Sequence, residues 1–72
     1  MFSNEEYIKN FTGQILGIIK TATNGDQIAY SFPGRKILGY YRAEQNITTD
    51  FVGRILSKNN TVVSLIYNNK DN

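Results

Sequence analysis

The sequence predicts a mainly β chain: a short N-terminal helix, then three β-hairpin repeats totalling about six antiparallel strands, in a flower-like or small-barrel arrangement. Three observations carry that prediction. First, a phrase recurs: Phe11-Thr12-Gly13-Gln14-Ile15-Leu16-Gly17, then Phe32-Pro33-Gly34-Arg35-Lys36-Ile37-Leu38-Gly39, then Phe51-Val52-Gly53-Arg54-Ile55-Leu56-Ser57. The shared frame is Phe, a corner glycine, a polar residue, Ile-Leu and a small residue, and the Phe positions lie 21 and 19 residues apart. Second, polar and apolar residues alternate in the stretches between these phrases, which is the period of a half-buried strand. Third, every unit contains an internal turn built of Asn, Gly, Glu or Gln.

Taken in order, residues 1–10 read as the helix. Ser3-Asn4-Glu5-Glu6 has the capping-box spacing, and the acidic pair suits the positive end of a helix dipole. Tyr7, Ile8 and Phe11 would form its apolar side. The first hairpin, within 11–31, runs from Ile15 to Ala22, turns at Asn24-Gly25 and returns from residue 27 to 32. Its return strand is expected to bury Ile28, Tyr30 and Phe32. In the second, within 32–50, a strand from Ile37 to Arg42 turns through Glu44-Gln45-Asn46 and returns with Ile47, Thr49 and Phe51 on one face. The third, within 51–67, starts at Ile55, turns at Asn59-Asn60 and returns over 61–67 with Val63, Leu65 and Tyr67 alternating. Gly13, Gly34 and Gly53 suit tight corners between strands, where a Cβ obstructs. Pro33 sits between two strands, where its missing N–H matters least. Residues 68–72 form a polar tail, and the whole is one small domain.

Composition narrows the chemistry. A chain of 72 residues buries only about 60% of its unfolded surface, so self-association is a natural remedy. There is no cysteine and no histidine. That removes disulfides, thiolate nucleophiles and the usual zinc ligands. It also removes the usual general base at neutral pH, so the hydroxyls of Ser31, Ser57 and Ser64 lack an activator. No catalytic, cofactor or metal residue is therefore expected. No apolar run spans a bilayer and no basic-then-apolar leader is visible, so no membrane association is expected and the cytoplasm is the expected location. Three Asn-x-Ser/Thr sequons, at Asn10, Asn46 and Asn59, are read as coincidental.

The stretch from Ile28 to Tyr41, continuing from Asn46 to Leu56, resembles the small bacterial family of 4-fold β-flower proteins. Phe32, Gly34, Arg35, Leu38, Gly39 and Tyr40 match the first half of that family's repeated phrase. Ile47, Asp50 and Gly53 match the second. The match covers about 30 residues and extends to the rest only through the internal repeat. Gln14 replaces the basic residue in the first unit, and Ser57-Lys58 replaces Gly-aromatic in the third. The resemblance implies petal-like hairpins around a pseudo-rotational axis, and it implies no particular activity.

Two surfaces are candidates for binding. Between residues 11 and 58 there are six basic residues against three acidic ones, Asp26, Glu44 and Asp50. Gln14, Arg35 and Arg54 occupy equivalent positions and would gather at one end. Arg35, Lys36, Arg42 and Arg54, with Tyr40, could thus receive phosphates or an acidic partner. Tyr40 and Tyr41 are adjacent in a strand, so only one of them can join that surface. Asp50 is positioned to hold Arg54 or corner N–H groups. The leading expectation is a non-catalytic module acting by protein–protein contact, as a homo-oligomer or an inhibitor of a larger partner. The alternative is a small nucleic-acid-binding barrel.

Overall fold

The computed structural model describes residues 2–68 and shows six antiparallel strands in one open sheet, crossed by a single short helix. The strands are β1 (Phe2–Lys9), β2 (Ile15–Ala22), β3 (Gln27–Ser31), β4 (Ile37–Arg42), β5 (Ile47–Asp50) and β6 (Ile55–Ser57). Each pairs with its neighbour in sequence, in the order β1-β2-β3-β4-β5-β6. The helix α1 (Val62–Tyr67) follows and lies over β2, β3 and β4. The sheet closes into neither a barrel nor a flower: β1 and β6 are its two edges. Among the described residues no helix is long and apolar enough to cross a membrane.

Five of the expected strands stand where the alternation and turn signals put them. The Asn24-Gly25 turn joins β2 to β3, and Gly25 takes a φ of +96°. The turn before β5 ends on Asn46 at φ +53°, a conformation that asparagine tolerates. The two ends of the chain differ from expectation. Residues 2–9 are not a helix but an edge strand, paired along its length with β2. A helix of that length is unstable alone and has to be held by packing. Here the neighbouring β2 backbone offers a full ladder instead. The return strand expected over 61–67 is α1. Val62 and Ile66 are one helical turn apart and both are 1% exposed, whereas Val63 and Tyr67 face outward. Asn60 helps start the helix, its Oδ1 accepting from the Val62 N–H at 3.3 Å. The polar tail expected over 68–72 lies, after Asn68, outside the described residues.

One device recurs in all three units. In the pairings β1·β2, β3·β4 and β5·β6 the register slips by one residue, and the extra residue is Leu16, Leu38 and Leu56 respectively. Each is the leucine of the Ile-Leu-small phrase, so the repeat encodes a β-bulge. Leu16 and Leu38 pack against the core formed by Ile8, Ile19, Ala29, Val62 and Ile66. The small residue after each leucine lies beneath or beside the helix connection. A Cβ on Gly17 would fall 2.8 Å from Ile66 and 2.6 Å from the Tyr30 carbonyl. One on Gly39 would meet the Thr49 carbonyl and fall 2.5 Å from Leu65. Ser57 instead bonds to Thr61, Oγ to Oγ1 at 2.7 Å.

The helix therefore selects the buried side of β3. Ala29 and Ser31 are buried beneath it, and Ile28, Tyr30 and Phe32 lie half-buried on the open side, the reverse of the expected assignment. The smaller residues face inward because the Ile66 and Leu65 side chains of the helix press closely on the sheet there. Polar bonds fix the approach. The buried Thr48 Oγ1 donates to the Asn59 carbonyl at 2.6 Å and accepts from the Thr61 N–H at 2.9 Å. Asn60 Nδ2 donates to Gln27 Oε1 at 2.9 Å.

Gly39→Ala should lower the stability measured by urea denaturation by about 2–3 kcal/mol. Adding Leu65→Ala should recover only part of it, because the Thr49 carbonyl still obstructs. Gly13→Ala, where the surroundings are empty but φ is +90°, should lose only about 1–2 kcal/mol.

Candidate functional site

An up-and-down sheet brings its odd-numbered connections to one end, so the three repeated phrases meet there. Each corner is built on a polar residue just ahead of its phenylalanine. Asn10 Oδ1 accepts from the N–H groups of Thr12 and Gln14, both at 3.0 Å. Asp50 Oδ1 accepts from those of Val52 at 3.1 Å and Arg54 at 2.8 Å. Ser31 Oγ accepts from the Lys36 N–H at 3.1 Å. Side chains that bond the backbone a few residues on are the mechanism of such turns. Asp50 holds both Arg54 and corner N–H groups, as its position ahead of the Gly53 corner led one to expect. The equivalent roles of Asn10 and Ser31 were not expected, although a short polar residue before each Phe was visible. Gly13 and Gly53 take positive φ values of +90° and +97°. In the middle corner Pro33 adds a residue, and Arg35 rather than Gly34 is left-handed, at φ +57°. The residue equivalent to Gln14 and Arg54 is consequently Lys36, not Arg35.

The expected basic set is divided. Arg54 binds its own corner, Nε to Asp50 Oδ2 at 3.0 Å. Arg35 turns toward the β1 edge, 4.0 Å from Glu5. Lys36 lines a groove of about 500 Å³ with Ile37, Leu38, Asp50, Phe51, Leu56 and Leu65. Arg42 ends β4 at the opposite end of the sheet, about 20 Å along the strand from the corners. There it lies over the Tyr40 ring at 5.8 Å, beside a second hollow of about 250 Å³ lined by Ala22, Asp26, Gln27, Ile28 and Tyr41 as well. Tyr40 is on the open face. Tyr41 is on the helix face, packed against the core with its hydroxyl donating to Asn46 at 2.7 Å.

Two of the three carboxylates, Asp26 and Asp50, serve structure. Asp26 Oδ1 accepts from the Ala43 N–H at 2.8 Å, tying the β2–β3 turn to the β4–β5 turn. The Asp50 carboxyl is held below its ordinary value, foremost by the Arg54 backbone N–H, with the Arg54 guanidinium and the Val52 N–H adding to it against some desolvation. Among the described residues no three His, Cys, Asp or Glu side chains come together to hold a metal ion.

What the corner end does offer is apolar surface. Phe51, Val52, Ile55 and Leu56 are 64%, 63%, 61% and 51% exposed, and Phe11 is wholly so. Phe51 and Leu56 line the larger groove and Ile55 precedes Leu56 on the edge strand β6, whereas Phe11 belongs to the β1–β2 corner on the other side of the sheet. Isolated exposed apolar residues are ordinary, whereas several at one corner are not. The open sheet face is different. Its centre is closed by its own side chains: Ile18 is fully buried between Tyr7 and Tyr30 in the cross-strand register. Tyr7 meets Phe32 edge-on at 6.4 Å, and Lys20 covers Tyr30 at 5.3 Å.

No family model, curated protein or solved structure matches the chain.

Asp50→Asn should alter stability only above the acid range. With a depressed folded value, the ionised carboxyl stabilises the fold above the unfolded pKa of about 4, and loses that effect as pH falls through the folded value. Thermal melting from pH 6 down to about pH 2 should fall less steeply for Asp50→Asn than for the native chain, and the two curves should converge at the acid end.

Proposed function

We propose that this chain is a non-catalytic binding module that contacts another protein chain through the apolar surface at its β5–β6 corner. The single observation that carries this reading is the exposed set Phe51, Val52, Ile55 and Leu56, of which Phe51 and Leu56 line a groove together with Leu38 and Leu65. A folded chain gains nothing from leaving such side chains in water. Burial of apolar area is worth roughly 25 cal/mol per Å², and a partner that covers them recovers it. Lys36 and Asp50 at the rim supply polar orientation, as they do in interfaces with an apolar centre. A photo-cross-linking amino acid at position 51 should give one discrete higher-mass product in native extract, while the same group at position 24 should not. The absence of a product at 51, or equal products at both positions, overturns the reading.

A second reading rests on a different observation. Arg42 over Tyr40, and Lys20 over Tyr30, give the open face an aromatic-plus-cation pattern of the kind that stacks single-stranded bases. The distance between Arg42 and the corner cations counts against a continuous basic track. Fluorescence anisotropy with a labelled oligothymidylate at low salt decides it: binding should weaken about tenfold or more in Tyr40→Ala. An unchanged signal with the protein in large excess removes this reading.

A further inference from the structure

We propose that the occupant of the β6 edge is a second copy of this chain, joined head to tail through that copy's β1. This names the partner for the binding role above and rests on it. The chain is an array of three units, β1–β2, β3–β4 and β5–β6, and it already makes the same junction between units twice. At the first junction β2 pairs with β3 so that Gly17 faces Ser31, and at the second β4 pairs with β5 so that Gly39 faces Asp50. In both, the small residue after Ile-Leu stands opposite the corner polar residue of the following unit. Among the described residues no strand pairs with the outer side of β6, where Ser57 ends the third unit, or with the outer side of β1, which leads into Asn10. A second copy supplies both, with Ser57 opposite its Asn10.

The junction also accounts for the exposed side chains at both ends of the array. Within the chain, the corner Phe51 of the third unit lines a groove beside Ile37 and Leu38 of the second. The equivalent neighbours across a head-to-tail junction are Phe11 of one copy and Ile55-Leu56 of the other. Those three are fully exposed, 61% exposed and 51% exposed among the described residues. The helix does not obstruct the edge, because the connection after Ser57 runs inward: Asn59 and Thr61 bond to Thr48 of β5. The ladder available on β6 is three residues long, so the association is weak and has to be sought at high concentration.

Sedimentation velocity from micromolar to millimolar concentration tests it. The native chain should grow in mass with concentration. Phe11→Glu and Leu56→Glu should each remain monomeric, with circular dichroism unchanged. If Leu56→Glu fails to fold, Ile55→Glu replaces it. An equimolar mixture of the two variants should form a dimer and nothing larger, because each supplies one intact end and the two altered ends repel. A native chain that stays monomeric at millimolar concentration overturns the proposal, as does a Phe11→Glu variant that associates like the native chain. So does a mixture that fails to dimerise. Should the native chain stay monomeric while the group at position 51 still cross-links to a different protein, the head-to-tail partner is wrong and the binding role stands.

Discussion

The close approach of α1 to the sheet is the constraint from which the rest of the fold follows. A six-residue helix has little stability of its own. It persists because Ile66 and Leu65 settle over two positions, Gly17 and Gly39, that have no side chain to keep them away. That contact requires smooth, small-residue ground on β2, β3 and β4, which is why Ala29 is buried and the larger Ile28 and Tyr30 are turned to the other face. It also requires the bulges at Leu16 and Leu38. Without them those leucines would alternate to the open side, and the core around Val62 and Ile66 would lose two of its walls.

The same repeat has therefore been used for two purposes. In the first two units the Ile-Leu-Gly phrase makes a seat for the helix. In the third, Ser57 replaces glycine and bonds to Thr61, so the phrase launches the connection rather than receiving the helix. The consequence is that Leu56 has no helix above it and remains half-exposed, next to Ile55 and Phe51. The apolar corner thus comes from a repeat that outruns the one helix able to cover it.

Much of the candidate site was legible in residue order, and the rest was hidden for definite reasons. The shared end of the corners follows from the repeat spacing alone, and Asp50 bonds to Arg54 as its position ahead of Gly53 suggested. The basic residues were expected to act together, but strand length sends Arg42 to the far end and the additional residue Pro33 turns Arg35 toward Glu5. The exposure of Ile55 and Leu56 was not visible. In the sequence Leu56 reads like Leu16 and Leu38, and the reach of α1 separates them. Ile55, like Ile37, lies on the face away from the helix, and β6 is an edge strand with no neighbour beyond it among the described residues.

By itself the sequence determined the β class, the limits of the central strands and the chemistry of their corners. Those depend on local properties: alternation, the positive φ of Gly13, Gly25 and Gly53, and polar side chains that bond their own backbone. Tertiary structure decided both termini and the choice of buried face. Residues 2–9 carry a helix-start pattern, and 61–67 fit strand and helix periods alike, so their local preferences are too weak to choose. The unpaired ladder of β2 drew the first into a strand, and the glycine seats at 17 and 39 drew the second into a helix. Each segment took the conformation for which a partner surface was waiting.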